Sequence, residues 1–219
     1  MEPARKWSVS RDQAVLVGTG VVLIALASAL GAIIFFRGYG YAVDIWWNSV
    51  LLEWVSPFML AFSRAMNWLG GGWFGVFAVP VIGATLLLVA RRPWSAAFFV
   101  TAEVVSAGTV QILKHLFGRA RPEDILVISD YGSFPSGHVA NAATIAATAV
   151  VLFPRLWVVL VGTAWVLLMA LSRTYLHAHW LSDTLGGALV GVGVVLIIAA
   201  VYAGPLNRER ARDPARTRG

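Results

Sequence analysis

The chain has 219 residues, of which 58% are apolar and only 13% charged, and its formal net charge is +6. A soluble domain usually carries about 25% charged residues, so the composition argues against a water-soluble globular protein. The absence of cysteine excludes disulfide bonds and thiolate metal sites. In so apolar a chain, the excess of basic residues is more typical of contacts with anionic lipid than of nucleic-acid binding.

Long runs without charge, or with a single acid, predict helices that cross a bilayer, which takes roughly 20 apolar residues. We predict an all-α, polytopic membrane protein with six transmembrane helices in one bundle. The fourth and fifth runs are short and should rely on neighbouring residues at their ends. The first run is longer than the h-region of a signal peptide, which favours an uncleaved helix. The six runs are 14–36, 68–90, 93–113, 139–153, 156–172 and 184–205.

The remaining segments divide the chain into three parts. Residues 1–12 predict a basic cytoplasmic N-terminus, residues 13–205 the membrane domain, and residues 206–219 a disordered basic cytoplasmic tail. Residues 38–67 hold several tryptophans, and tryptophan favours the headgroup level of a bilayer. We therefore predict an interfacial helical segment between the first two membrane helices, with a re-entrant or seventh crossing as the alternative.

The distribution of Lys and Arg predicts the orientation. With six spans, eleven basic residues fall on the side that holds both termini and six on the other. The positive-inside rule then places both termini in the cytoplasm. The six remaining residues include a cluster where the third and fifth helices end, so the candidate chemistry converges on the extracytoplasmic face.

Two motifs near the middle of the chain suggest an anion site. Lys114 and Arg121 are seven positions apart, which would put both cations on one helix face, although side chains snorkelling to headgroups are the alternative. In "PSGH", Gly137 allows a ligand to approach the backbone at the start of a helix, beside Ser136 and His138. The alternative is a serine N-cap followed by an incidental histidine.

The third motif, "SRTYLHAHWLSD", contains an arginine, a histidine and an aspartate. His179 and Asp183 are four apart, so one helical turn could bring the carboxylate to the imidazole and make the other ring nitrogen more basic. Arg173 offers a planar, bidentate partner for phosphate oxygens. A surface ion pair between His179 and Asp183 is the alternative.

Other polar residues near these motifs are interpreted as peripheral. His115 and His177 should face away from the site, and Arg119 should meet either solvent or a headgroup. Glu103 lies within the third helix and needs a partner or a proton. Three acids in the preceding loop are assigned to a solvated loop, with a role in headgroup choice as the alternative: Glu123, Asp124 and Asp130.

Together, "KHLFGRARP", "PSGH" and "SRTYLHAHWLSD" follow the pattern K-x6-R-P, P-S-G-H and S-R-x5-H-x3-D. This pattern resembles that of the type 2 phosphatidic acid phosphatase superfamily, with no motif position missing. The motifs occupy residues 114–183, and the six-helix plan extends the likeness over most of the chain. The resemblance implies hydrolysis of a membrane lipid phosphate or diphosphate, such as undecaprenyl pyrophosphate, phosphatidylglycerophosphate or phosphatidic acid.

The resemblance also implies roles for the motif residues. His179 is the expected nucleophile, which forms a phosphohistidine, Asp183 orients it, and His138 acts first as acid and then as base. Fixed cations can do the work of Mg²⁺ in phosphoryl transfer, so neither a metal nor another cofactor is expected. The residues expected to bind the phosphoryl group are Lys114, Arg121, Ser136, Gly137 and Arg173.

Three other functions are alternatives to hydrolysis. A phosphotransferase could use the same phosphohistidine with a lipid or sugar acceptor. The vanadium haloperoxidases share the ligand set, but they are larger soluble proteins, and the membrane spans argue against them. A transporter usually gathers its charges near the bilayer midplane, whereas here they gather at helix ends.

Overall fold

The computed structural model describes residues 7–37 and 41–212, with side chains from residue 11 onward, and every regular element in these ranges is helical. A short π-helical turn, Phe74–Ala78, precedes the fourth α-helix. The helices are α1 (Trp7–Arg37), α2 (Ala42–Glu53), α3 (Pro57–Gly70), α4 (Val79–Val89), α5 (Pro93–Phe117), α6 (Gly137–Leu152), α7 (Leu156–Tyr175) and α8 (Leu181–Ala211).

The predicted all-α membrane architecture is confirmed, but the count of six spans is not. Among the described residues, four helices are long and apolar enough to cross a membrane, namely α1, α5, α7 and α8. Helix α3 and the segment Phe74–Val89, which joins the π-helical turn to α4, are bent by 45° relative to each other and together form a fifth candidate. Helix α6 has 16 residues and therefore covers about 24 Å, less than the hydrocarbon core of about 30 Å.

Helix α8 is the central element, and it packs against α1, α5 and α6. It runs antiparallel to α1, because Gln13 donates to the carbonyl of Ala200, whereas Gly20, further along α1, lies against the earlier Gly193 of α8. Helices α1, α5 and α7 finish at the end of the bundle where α6 and α8 begin, which we call the site end. Helix α6 reaches the opposite end, where Leu152 packs in one cluster with Leu206.

Two glycines allow α6 and α8 to pack closely. A Cβ atom on Gly187 would lie 2.4 Å from the carbonyl oxygen of Ser136, and one on Gly191 would lie 2.5 Å from that of Ala140. These two glycines are the ends of the sequence "GALVG", and their spacing of four is typical of close helix packing. The close contact holds the "PSGH" turn against the first turn of α8, where the Ser136 amide donates to the Asp183 carbonyl at 3.0 Å.

The end of α8 lies within the segment predicted to be a disordered tail. Helix α8 continues to Ala211, so the predicted boundary at residue 206 is too early, and residues 213–219 lie outside the described part. The carboxylate of Glu209 accepts hydrogen bonds from the amides of Trp94 at 2.7 Å and Ser95 at 3.1 Å. Glu209 thus accepts from the amides at the start of α5 that have no partner within that helix. This contact favours a helical end of α8 over a disordered one.

The segment predicted to be interfacial is helical but divided in two. Helix α2 ends at Glu53, and Ser56 caps α3, in which Pro57 occupies the first turn. The hydroxyl of Tyr175, at the end of α7, accepts from the Ser56 amide at 2.9 Å and thereby ties the α2–α3 connection to the site end. Helix α3 packs against α7 instead of lying free on the surface. Residues 38–40 lie outside the described part.

Candidate active site

His179 lies in the turn between α7 and α8, at the site end. Its Nδ1 is 2.7 Å from the Ser133 carbonyl oxygen and 3.5 Å from Oδ2 of Asp183. Its Nε2 is 3.2 Å from Nη1 of Arg121. Since a carbonyl oxygen can only accept, Nδ1 carries the proton, and the lone pair of Nε2 faces the guanidinium.

The predicted proximity of His179 and Asp183 is confirmed, but a continuous helical turn does not produce it. Helix α7 ends at Tyr175, and Asp183 lies in the first turn of α8, where its Oδ2 accepts from the Trp180 amide at 2.9 Å. This capping contact turns the carboxylate back towards the preceding residues. The nearer partner of Nδ1 is the Ser133 carbonyl, which the sequence did not indicate.

The environment of His179 keeps its imidazole neutral. Burial away from water lowers the pKa of His179 well below its usual value, and the positive charges of Arg173, Arg121 and Lys114 lower it further. A neutral imidazole has a free lone pair at physiological pH, which a nucleophile requires.

Lys114 and Arg121 meet at the site, although they do not share a helix face. Helix α5 ends at Phe117, and Gly118 follows in the left-handed conformation (φ 50°), so Arg121 lies in the loop beyond. The Nζ of Lys114 and Nη2 of Arg121 each donate to the carbonyl of Gly132 at 2.8 Å. The turn at Gly118 thus brings the two cations together, as the seven-residue spacing suggested, but without a shared helix face.

Arg173 and His138 are joined through a residue of α3 that sequence analysis left in the interfacial segment. The Nη1 of Arg173 donates to the side-chain oxygen of Asn67, and Nε2 of His138 lies 3.1 Å from the Asn67 backbone carbonyl. The imidazoles of His138 and His179 also interact electrostatically. A Cβ on Gly71 would overlap the His138 ring, so this glycine permits the close approach of α3.

Several buried donors around the site have no hydrogen-bond partner among the described residues. They include Oγ of Ser136, Nε of Arg121 and Nε of Arg173. Gly137 is the first residue of α6, so its amide adds a backbone donor at a helix N-terminus. Buried polar groups are normally satisfied, so this set of donors indicates a site for a ligand with several acceptor oxygens.

Arg119 meets neither solvent nor a headgroup, so the environment predicted for it is wrong. Its side chain is 7% exposed and bridges two buried carboxylates, Asp183 Oδ1 at 2.5 Å and Asp44 Oδ2 at 2.7 Å. Asp44, on α2, also accepts from the amide of Ser182 at 2.8 Å and from its hydroxyl at 2.6 Å. A charge in an apolar segment was the only signal that could have pointed to Asp44.

The two remaining histidines and Glu103 lie outside the group of site residues. His115 is exposed, and its contacts are the Gln111 carbonyl of its own helix and the Tyr131 ring, neither of which belongs to a predicted site residue. His177 contacts Asn48 of α2 at 2.7 Å, also off the site, but in a turn instead of on a rotated helix face. The Oε1 of Glu103 has no hydrogen-bond partner among the described residues.

The loop acids do not behave alike. Glu123 and Asp124 are exposed, as a solvated loop predicts. Asp130 instead pairs with Arg121 at 2.8 Å and with Lys114 at 3.2 Å. The Asp130 side chain is 57% exposed and therefore solvated, but these two ion pairs also bring it to the site.

Two imidazoles, three cations and a helix N-terminus thus meet at one end of an apolar helical bundle. This arrangement is typical of a membrane protein that binds an oxyanion. Residues 95–205 match the family model of the PAP2 superfamily. This match covers half of the chain and all eight predicted site residues, and the chain belongs to the PAP2 superfamily.

Individual relatives support the membership. The chain is 31% identical over 161 residues to the decaprenylphosphoryl-5-phosphoribose phosphatase of Mycobacterium tuberculosis, covering 71% of this chain and 86% of the relative. It is 32% identical over 124 residues to the lipid A 1-phosphatase of Rhizobium etli, covering 50% of this chain and 51% of the relative. The chain thus spans about half the length of that lipid A 1-phosphatase.

A solved structure shows the same fold. The PAP2-type phosphatidylglycerolphosphate phosphatase of Bacillus subtilis superimposes with a TM-score of 0.71 at 23% identity, covering 90% of this chain and 98% of that one. The likeness supports a multi-pass membrane protein with the architecture described above.

Proposed function

We propose that this protein is an integral membrane phosphatase that hydrolyses a phosphomonoester or diphosphate of a membrane lipid. The observation that carries the proposal is the ring of buried donors around His179. The lone pair of its Nε2 faces Arg121, and donors on Arg121, Arg173 and Ser136 have no partner among the described residues. A phosphoryl group supplies the oxygens that such donors require.

In the proposed first step, Nε2 of His179 attacks phosphorus. The bond from phosphorus to the lipid oxygen, or to the bridging oxygen of a diphosphate, breaks, and His138, acting as an imidazolium ion, donates a proton to the departing oxygen. The Ser133 carbonyl, and Asp183 at longer range, stabilise the charge that develops on the imidazole. In the second step, His138 removes a proton from water as the water oxygen attacks phosphorus, and the bond from phosphorus to Nε2 breaks, which releases phosphate and restores His179.

The cations supply the charge stabilisation in this mechanism. Lys114, Arg121 and Arg173 would bind the equatorial oxygens of the phosphoryl group, together with Ser136 and the Gly137 amide. We therefore expect phosphate release to persist in excess EDTA. Loss of activity on chelation, with recovery on adding a divalent cation, would identify a metal requirement.

The relatives support a lipid substrate. Their names include phosphatases of lipid A and of a decaprenyl-linked phosphoribose, and an undecaprenyl-diphosphatase. Undecaprenyl pyrophosphate, phosphatidylglycerophosphate and phosphatidic acid remain the candidate substrates. The substrate tail would stay in the bilayer while its phosphate enters the site end.

We also propose that the site end faces away from the cytoplasm and that both termini are cytoplasmic. The opposite end of the bundle holds most of the described arginines outside the site, which supports this orientation under the positive-inside rule. They are Arg11, Arg91, Arg92, Arg155, Arg208, Arg210 and Arg212.

The test is a phosphate-release assay on the purified full-length protein in detergent, with the three candidate lipids. His179→Ala should reduce the rate by about 10⁴-fold or more, because it removes the proposed nucleophile. His115→Ala removes an exposed histidine and should keep the wild-type rate. Undiminished hydrolysis by His179→Ala would contradict the mechanism. Labelled phosphate that moves to an acceptor lipid, with none released to water, would identify a phosphotransferase.

A further inference from the structure

Asp130 occupies an unexpected position in the loop between α5 and α6. Its Oδ1 lies 2.8 Å from Nη2 of Arg121 and 3.2 Å from Nζ of Lys114. The Asp130 side chain is 57% exposed, whereas those of Lys114 and Arg121 are 2% and 12% exposed. The carboxylate therefore reaches two buried cations from the solvent side.

This carboxylate interacts with more of the site than its two nearest partners. It interacts electrostatically with Arg173 and with both imidazoles, His138 and His179. Desolvation raises the pKa of Asp130, but Lys114 and Arg121 outweigh that effect and hold the pKa below its ordinary value. Asp130 is thus an anion at neutral pH, among the groups proposed to bind the substrate phosphate.

We propose that Asp130 is a specificity-determining residue that a substrate phosphate must displace, so that dianionic phosphate groups enter the site and monoanionic phosphodiesters are excluded. This inference rests on the proposed function, because it concerns the same phosphate site. It assigns to Asp130 the selection between phosphate groups by charge, which none of the catalytic residues performs.

The selectivity follows from charge. A terminal phosphate carries about −1.5 to −2 charges at pH 7, whereas a phosphodiester carries one. The carboxylate is held beside the two cations by the loop between α5 and α6, so it competes as an intramolecular ligand at an effective concentration on the order of millimolar. A phosphodiester offers the two cations no more charge than Asp130 already does, while a dianion offers roughly twice the Coulomb attraction. The exposed carboxylate can then turn towards solvent.

The exclusion would matter at a bilayer surface. Phosphodiester headgroups surround any membrane-embedded site, and anionic lipids are attracted to its cations. A cationic site without a competing anion would bind these headgroups and be inhibited by them. Specificity of this kind depends on an interaction that makes binding of the wrong ligand less favourable, here the competition of the Asp130 carboxylate with a phosphodiester.

The loop offers a matched control. Asp124 lies in the same loop and is exposed, and its electrostatic interaction is with His177, which contacts α2 away from the phosphate site. Asp124→Asn removes the same charge from the same loop without touching Lys114 or Arg121. Asp130→Glu keeps a carboxylate at the tested position.

The experiment measures binding without turnover, on the full-length protein in detergent. Thermal shifts give the dissociation constants of inorganic phosphate and of dimethyl phosphate, a permanent monoanion. Asp130→Asn should tighten dimethyl phosphate binding by about tenfold relative to phosphate, the scale of two partly exposed ion pairs. Asp124→Asn and Asp130→Glu should keep the wild-type ratio of the two constants.

A parallel assay measures phosphatidic acid hydrolysis with phosphatidylglycerol as the phosphodiester competitor. The Asp130→Asn variant should be inhibited at about tenfold lower phosphatidylglycerol. An unchanged ratio of dissociation constants in Asp130→Asn, or an equal change in Asp124→Asn, would overturn the inference. Failure of the wild type to hydrolyse any lipid would instead contradict the proposed function, while the binding ratio would still test Asp130.

Discussion

Arg119 shows how a single residue can hold the catalytic groups from outside the substrate site. Its guanidinium joins Asp183, which lies beside His179, to Asp44 of α2, and it stacks on the Trp180 ring with its centre 5.4 Å from the ring centroid. A buried charge is stable only when it is paired and hydrogen-bonded. Removing the arginine would leave two buried carboxylates next to each other.

We predict that Arg119→Met lowers the stability of the folded protein by about 3–5 kcal/mol, the usual cost of breaking a buried ion pair. The turnover rate should fall by about 100-fold, because Asp183 loses the contact that fixes its carboxylate. Thermal unfolding and phosphate release measure the two effects. Combining Arg119→Met with Asp44→Asn should cost less stability than the sum of the single changes.

The control for this prediction is Arg64→Met, since Arg64 is exposed on α3. The variant should unfold and turn over like the wild type. If Arg119→Met proved equally harmless, the buried network would have no part in positioning Asp183.

At the scale of the element, the packing of α6 on α8 decides whether the "PSGH" turn reaches the site. The two helices bring backbone against backbone at Gly187, where a Cβ would lie 2.4 Å from the Ser136 carbonyl oxygen. The nearest atom is rigid backbone, so an added methyl group must push the helices apart. That movement would displace His138 and the Ser136 hydroxyl from the cations.

We predict that Gly187→Ala destabilises the protein by about 1–3 kcal/mol through overpacking and lowers turnover as well. Thermal unfolding and the phosphate-release assay measure these effects. Gly108→Ala is the matched helix substitution, because nothing lies within 4 Å of its Cβ position. It should leave activity intact and stabilise the helix slightly. Equal behaviour of the two variants would show that the α6–α8 contact tolerates separation.

At the scale of the whole molecule, the bundle has two chemically different ends. The site end carries the catalytic loop and α2, whereas the other end is held by Glu209 on the first amides of α5. Helix α8 links the two ends, with Asp183 in its first turn and Glu209 near its last residue. The orientation of this axis decides which leaflet supplies the substrate.

We predict opposite labelling of two single cysteines, which the chain allows because it contains none. Ile128→Cys replaces a fully exposed side chain in the site-end loop and should react in intact cells with a membrane-impermeant maleimide. Arg155→Cys, at the start of α7, should react only after permeabilisation. The reverse pattern would place the site in the cytoplasm.

The sequence alone determined the membrane class, the helical architecture and the eight motif residues that the fold gathers at one end, but not the parts played by Asn67, Arg119 and Asp130. These features depend on hydropathy and on motif residues that are read locally along the chain. Local spacing was less reliable for geometry, since turns, and not helix faces, join Lys114 to Arg121 and His179 to Asp183.

Only the tertiary structure decided the contacts that join distant parts of the chain. Arg119 meets Asp44 across 75 positions, and Arg173 meets Asn67 across 106. Asp130 reaches the phosphate-binding cations because α5 ends before Gly118 and the loop that follows folds back over the site. Such contacts follow from how the helices pack and where the loops fold back, and no local pattern of residues encodes either.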